Sequence, residues 1–227
     1  MKGGHGAASR TRHRRHWDVV YRTRGEEELS WHQDEPRLSL RWVQALAAKS
    51  DRIVDVGGGS SRLAGLLHEA GFRRLLVVDV APAALARNRQ RSPDSGKGVR
   101  YRVGDVTSLE SLGRYDLWHD RAVFHFLTDP GDRRHYVDLA ARTVPVGGHV
   151  ILATFSPDGP EKCSGLPVVR YDAAALAKVF GARFRLLRSS KESHRTPWRT
   201  IQPFTYAVLR RVRATPIAGG GRLRAER

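Results

Sequence analysis

The stretch Arg52-Ile53-Val54-Asp55-Val56-Gly57-Gly58-Gly59-Ser60-Ser61 decides how this chain folds. Ile53, Val54 and Val56 belong to a short β-branched run, the pattern of a strand. Three glycines follow at once, and Leu63 to Ala70 then reads as a helix stopped by Gly71. Glycine at such a turn lets the chain reverse tightly and lets a ligand approach backbone N–H groups.

Outward from this turn the alternation continues. Leu75 to Val78 reads as a second strand, Ala83 to Gln90 as a helix and Val99 to Val103 as a third strand. Tyr115 to Trp118 reads as a fourth strand and Asp132 to Arg142 as a helix before Pro145 and Gly147-Gly148. His149 to Phe155, nearly all apolar or β-branched, reads as a central fifth strand. Ala173 to Phe180 is a helix with Asp172 as its cap, and Phe184 to Leu187 and Phe204 to Leu209 form an antiparallel pair at the end. Before the first strand, Trp17 to Tyr21 and Leu38 to Leu46 carry apolar residues at helical spacing, whereas residues 1–16 show no apolar face and read as a disordered tail. The pattern predicts a doubly wound α/β sheet, with function at the carboxyl ends of its strands.

The glycine turn fits two common nucleotide motifs poorly. A nicotinamide fingerprint starting at Gly57 needs a small residue where Arg62 stands, and a P-loop needs a Gly-Lys-Ser/Thr run that is absent. Two further carboxylates are more telling. Asp79 ends the second strand, twenty residues after Gly59, the position from which a carboxylate accepts both ribose hydroxyls. Asp105 ends the third strand, within reach of an adenine amino group. Three acids at the ends of three successive strands point to an adenosine with free 2′ and 3′ hydroxyls.

These residues resemble the class I S-adenosylmethionine-dependent methyltransferases, in the bacterial branch of small domains. The resemblance rests on Ile53 to Gly59, Asp79, Asp105, the segment Tyr115-Asp116-Leu117-Trp118-His119-Asp120-Arg121 and the turn Pro145-Val146-Gly147-Gly148, and it spans roughly residues 40 to 210. Ser60-Ser61 departs from the family's frequent Thr/Ser-Gly. The resemblance implies a Rossmann-like seven-stranded mixed sheet, mostly parallel with the last strand antiparallel, and helices on both faces. It also implies S-adenosylmethionine as cofactor and S-adenosylhomocysteine as product. The cofactor residues are then Asp55, Gly57, Gly58, Gly59, Asp79, Val80, Asp105, Val106 and Asp116. Two further segments, His16 to Gln33 and Gly159 to Leu166, resemble a bacterial subgroup described only as methyltransferases. The first of them is expected to close over the cofactor as a lid, or else to pack as an amphipathic helix on the sheet edge. In the lid reading residues 17–50 are helical and bring Trp17, Tyr21, Trp31 and Gln33 to the acceptor, with the core over residues 51–210.

Methyl transfer from a sulfonium is a displacement on carbon that needs no metal, and position in a dry site supplies much of the catalysis. A base helps when the acceptor arrives protonated. Candidates are His119, with Asp120 beside it as an ordinary surface partner, His125 between two aromatics, and His194 in an expected loop from Ser189 to Pro203 that also carries Trp198. Their spacing matches no metal signature. Cys163 reads as a buried thiol in the loop after the fifth strand.

Composition sets the outer limits. One cysteine in 227 residues excludes an intrachain disulfide and cysteine-rich zinc sites. The longest nearly apolar run, Leu75 to Ala86, includes Asp79 and is shorter than the roughly 18 to 20 residues that span a bilayer. No hydrophobic leader follows Met1, so the expectation is a soluble, cytoplasmic monomer or homodimer without membrane contact. The net charge is +17, of which residues 1–16 and 210–227 supply +10. Weak, non-specific contact with nucleic acid is therefore expected through basic tails, the second over residues 211–227. The favoured function is methyl transfer to a small-molecule thiol, carboxylate, hydroxyl or amine. The alternatives are an RNA or protein side-chain acceptor, and a module that binds the adenosyl cofactor without turnover.

Overall fold

The computed structural model describes residues 4–91 and 97–213, with side chains from residue 11 onward. Its centre is a seven-stranded sheet in the order β3-β2-β1-β4-β5-β9-β8. The strands β1 (Ile53–Val56), β2 (Leu75–Asp79), β3 (Val99–Val103), β4 (Leu117–Arg121) and β5 (His149–Phe155) run parallel, and β9 (Ile201–Arg211) lies antiparallel to both β5 and β8 (Phe184–Arg195). Strand order reverses between β1 and β4, the place where doubly wound sheets open a crevice for ligands. The seven-stranded mixed sheet expected from sequence is the observed one.

The central strands are largely apolar because helices cover both faces, with Asp55, His119 and Asp120 as buried polar exceptions. One face buries Val54, Val56, Leu76, Val78, Trp118 and Leu152 under α5 (Pro130–Thr143) and α6 (Ala173–Phe180). The other buries Ile53, Leu75, Val77, Leu117, Ile151 and Phe155 under α2 (Arg37–Leu46) and α3 (Leu63–Glu69). A smaller cluster joins Trp17, Val20 and Tyr21 of α1 (Gly4–Thr23) to Leu29 and to Ala81 and Ala84, beside and within α4 (Pro82–Arg91). Asp129 and Asp172 cap α5 and α6 by accepting backbone N–H groups, as Ser, Asp and Asn do at helix starts. No helix among the described residues is long and apolar enough to cross a membrane.

Three expectations need correction. Helix α1 begins at Gly4, so residues 4–16 are helical rather than a disordered tail. The fourth strand is shifted by two to three residues, to Leu117–Arg121, which puts His119 in mid-strand opposite Asp55 and Asp116 ahead of the strand. The expected loop from Ser189 to Pro203 is largely strand: β8 runs to Arg195 and β9 starts at Ile201, with an irregularity between Leu186 and Arg188. The basic stretch beyond Arg213 lies outside the described residues. Cys163 is buried, in a two-strand ribbon of β6 (Lys162–Cys163) and β7 (Leu166–Pro167).

Candidate functional site

The glycine turn after β1 is built so that only glycine fits it. Gly57 and Gly59 have φ of +65° and +44°, where side chains are strained. A Cβ on Gly57 would lie 1.8 Å from a methyl of Val123, and one on Gly59 would lie 2.6 Å from the Tyr21 hydroxyl. Asn88 of α4 holds the turn by donating from Nδ2 to the carbonyls of Gly59 and Ser61, both at 2.9 Å. Arg91 adds a 2.6 Å bond to the Ser60 carbonyl.

Two acids stand at the ends of the next strands. Asp79 is buried, and its Oδ1 accepts the Ala81 N–H at 2.8 Å. Burial pushes its carboxyl up to about 7, against the opposing pull of the N–H groups of Ala81 and Gly59. No cation pairs with it among the described residues. Asp105 accepts both the N–H and the hydroxyl of Thr107 on Oδ1, at 2.8 and 2.6 Å, which fixes the turn after β3.

These elements enclose one hollow at the carboxyl edge of the sheet. Gly57, Asp79, Val80, Asp105 and Val106 line its strand side. Ala122, Val123, Phe126 and Leu127, beyond β4, line the far wall. Trp17, Tyr21 and Trp31 close it from above. Trp17 meets Trp31 and Phe126 edge-on, with ring centroids 5.5 and 5.0 Å apart, and α1 is tied to α4 where Asp18 accepts the Ala83 N–H at 3.2 Å. A second, more polar hollow adjoins it, lined by Asp55, Gly58, Gln33 and His119. Gly57, Tyr21, Trp31 and Arg121 line both.

Between the two hollows runs a buried polar chain. His119 Nδ1 lies 2.7 Å from Asp55 Oδ1 and its Nε2 lies 2.8 Å from Ser39 Oγ. Ser39 Oγ is 3.2 Å from the Tyr206 hydroxyl, which accepts from Arg121 Nε at 3.2 Å. Arg121 also donates to the Trp31 carbonyl at 2.9 Å and faces Glu192 at 3.7 Å, and Gln33 donates to the same Glu192 carboxylate at 3.4 Å. Both ring nitrogens of His119 are thus occupied, and Asp55 is held beneath the glycine turn.

The remaining sequence candidates fall elsewhere. Asp116 sits at the amino end of β4, where its Oδ2 accepts the Arg52 N–H at 2.9 Å, across the sheet from the hollow. His125 is fully buried against Phe126 and Phe155, and its Nδ1 accepts the Phe155 N–H at 3.2 Å. Burial lowers its imidazole to about 3, so it stays neutral. His194 is on β8 with Nε2 2.7 Å from the Ser30 carbonyl, and burial, helped by Arg121, lowers it to about 4. Trp198 is exposed on the β8–β9 turn and lines neither hollow. Asp120 is no surface partner: it is buried and accepts from the N–H groups of Val123 and Phe124 and from the Tyr136 hydroxyl. Cys163 lines the main hollow, with its thiol pushed up to about 11 by burial. Sequence reasoning passed over His13, Asn88, Arg121 and Phe126. Arg121 was quoted as motif, yet only the true position of β4 brings it to the strand end. No group of three His, Cys, Asp or Glu side chains able to hold a metal occurs among the described residues.

Residues 53–148, which carry β1 to β4 and the turn before β5, match the family model described as a methyltransferase domain. Over those residues the chain is similar to methyltransferase domains. The same fold is found in a structure from work on conversion of a disulfide bond into a thioacetal group during echinomycin biosynthesis. That structure has a TM-score of 0.71 at 18% identity, over 86% of this chain and 91% of the other. It is found too in the 1,6-didemethyltoxoflavin-N1-methyltransferase of Burkholderia thailandensis, solved with its substrate and S-adenosylhomocysteine. The TM-score there is 0.69 at 18% identity, over 94% and 92% of the two chains. By sequence the chain is similar to the eEF1A lysine and N-terminal methyltransferase of Danio rerio, 23% identical over 148 residues. That match covers 63% of this chain and 21% of the relative, so the chain spans about a fifth of the length of that curated relative.

Proposed function

We propose that this protein transfers a methyl group from S-adenosylmethionine to a small-molecule nucleophile. The observation that carries the reading is the roofed hollow at the switch point of the sheet. It joins a glycine turn to two strand-end acids, Asp79 and Asp105. The residues fit the cofactor. A buried carboxylate without a cation, such as Asp79, is stabilised by hydroxyl donors, and the two ribose hydroxyls are such donors. The turn at Gly57–Gly59 carries no side chains to block its backbone, and Val80 and Val106 offer apolar walls to a flat base beside Asp105. When bound, S-adenosylmethionine supplies a methyl group activated on a sulfonium.

The chain's own part is position and exclusion of water. Trp17, Tyr21 and Trp31 roof the hollow, so an acceptor enters a site already dry and shaped. His119, His125 and His194 do not line that hollow, and His13, which does, is kept neutral by burial and spends Nε2 on the Trp17 indole N–H at 3.0 Å. His119 has both nitrogens engaged, and His125 and His194 are held neutral by burial and bound to backbone groups. Cys163 and Tyr21 are both pushed up by burial and stay protonated near neutrality. The acceptor therefore suits the site best when it arrives as a competent nucleophile, such as a neutral amine, a carboxylate or an already ionised thiol.

The acceptors named for similar proteins divide between small molecules, such as 1,6-didemethyltoxoflavin, and proteins, such as eEF1A. The roof formed by the same chain favours the small molecule. The test is mass-spectrometric transfer from methyl-labelled S-adenosylmethionine to a panel of small amines, carboxylic acids and thiols, run beside total RNA and a protein extract. Label on members of the small panel is expected. Label confined to RNA or protein, with cofactor bound, overturns this choice of acceptor.

A further inference from the structure

The densest exposed charge lies on the edge of the sheet away from the methyl-transfer hollow. At the amino ends of β1, β2 and β3 an open concavity is lined by Arg52, Arg73, Arg74, Lys97 and Arg100, over a floor of Leu75 and Gly98. Four of the five cations are exposed and Arg52 is half-buried. Among the described residues none of the five has a carboxylate within 4 Å. The nearby acid Asp116 spends Oδ2 on the Arg52 backbone N–H.

The groups that hold these side chains are neutral. Arg73 Nη1 donates to the carbonyls of His68 and Phe72, at 2.5 and 3.2 Å. Arg100 donates to the Tyr115 hydroxyl at 3.0 Å, and the Arg52 guanidinium stacks 4.9 Å from the Tyr115 ring centroid. Three guanidinium groups are thereby oriented while their charge stays uncompensated. Like charges gathered in one concavity repel until an anion enters, and planar guanidinium forks match phosphate oxygens in pairs. A single small anion answers one or two of the five cations. A chain of phosphates answers several at once. A lipid surface fits less well, because none of the large exposed apolar side chains lines the concavity.

We propose that this amino edge is a docking surface for the phosphate backbone of a nucleic acid, read without regard to base sequence. It places in the folded body a role that composition assigned to the tails. It also separates docking from chemistry, since the hollow for methyl transfer opens at the opposite edge.

The experiment is fluorescence anisotropy of the full-length chain with a labelled 20-nucleotide single-stranded RNA across a salt series. It is repeated with Arg73→Gln/Arg74→Gln, with the tail variant Arg222→Gln/Arg224→Gln/Arg227→Gln, and with phosphatidylserine vesicles in place of RNA. S-adenosylhomocysteine affinity is measured on every variant as an independent check of fold and cofactor site. The edge variant should bind RNA roughly tenfold more weakly at low salt. Its log–log salt slope should fall by about 1.4, at about 0.7 per lost phosphate contact on a single strand. The tail variant should keep most of the affinity, and cofactor binding should not change with either. Three results overturn the proposal: unchanged RNA binding in the edge variant, loss confined to the tail variant, or vesicles bound as tightly as RNA.

Discussion

At the carboxyl edge of the sheet three carboxylates, Asp55, Asp79 and Asp105, stand in two adjoining hollows roofed by aromatic rings. At the amino edge of the same strands five cations surround an open concavity, and Asp116 beside Arg52 is occupied by backbone. The strands are identical at both edges, so the difference comes from the segments joined to each end. The carboxyl ends run into turns covered by α1, which removes charge from water. The amino ends receive loops that leave long basic side chains solvated. Buried carboxylates without cations call for neutral donors, whereas solvated guanidinium groups call for anions.

The contrast is broken most severely at Gly57. Gly57→Val puts a branched side chain at φ +65° and into Val123. Binding of S-adenosylhomocysteine should vanish in calorimetry, and urea unfolding should show about 2–3 kcal/mol lost. Proton linkage at Asp79 gives the next largest effect. Its carboxyl is raised to about 7 from an ordinary value near 4, so the folded state holds a proton the unfolded state has released. Stability of the free protein should therefore fall as pH rises from about 4 to 7. Cofactor affinity, which uses the ionised carboxylate as acceptor, should rise about tenfold from pH 6 to pH 8, and Asp79→Asn should flatten both profiles.

Asp116→Ala sharpens the comparison from the other edge. It removes the acceptor for the Arg52 N–H and should cost about 1–2 kcal/mol in urea, with cofactor affinity unchanged. The smallest effect is expected for Trp198→Ala. That ring is exposed on a turn past the carboxyl edge, so stability should move by less than about 0.5 kcal/mol and acceptor kcat/KM should hold.

Legibility in the sequence followed hydrophobic pattern. β1, β2 and β5 were read to within a residue because they are largely apolar or β-branched runs, and β3 because Val99, Tyr101 and Val103 alternate with arginine. β4 was misplaced because its middle is His119-Asp120, polar residues that look like a strand's end and are buried only because Ser39, Asp55 and Tyr136 satisfy them. That shift misassigned Asp116 and hid Arg121. β8 was read as loop because Arg188 to Arg195 is polar, as a sheet-edge strand with a solvated face can be. The start of α1 was missed because residues 4–16 carry no apolar face in sequence. Asp79 was legible from its distance after Gly59 and Asp105 from its place at the end of the third strand, whereas Asn88 and Arg121 act through contacts from other elements, which spacing does not reveal.

The central claim is that the carboxyl-edge hollow holds an adenosyl cofactor on Asp79. Calorimetric titration of S-adenosylhomocysteine into the wild type and Asp79→Ala tests it most directly. The account predicts low-micromolar binding to the wild type and affinity weaker by about a hundredfold or more in the variant, since two hydroxyl bonds to a charged acceptor are lost. Equal affinity for the two proteins, or no binding to a folded wild type, would contradict it.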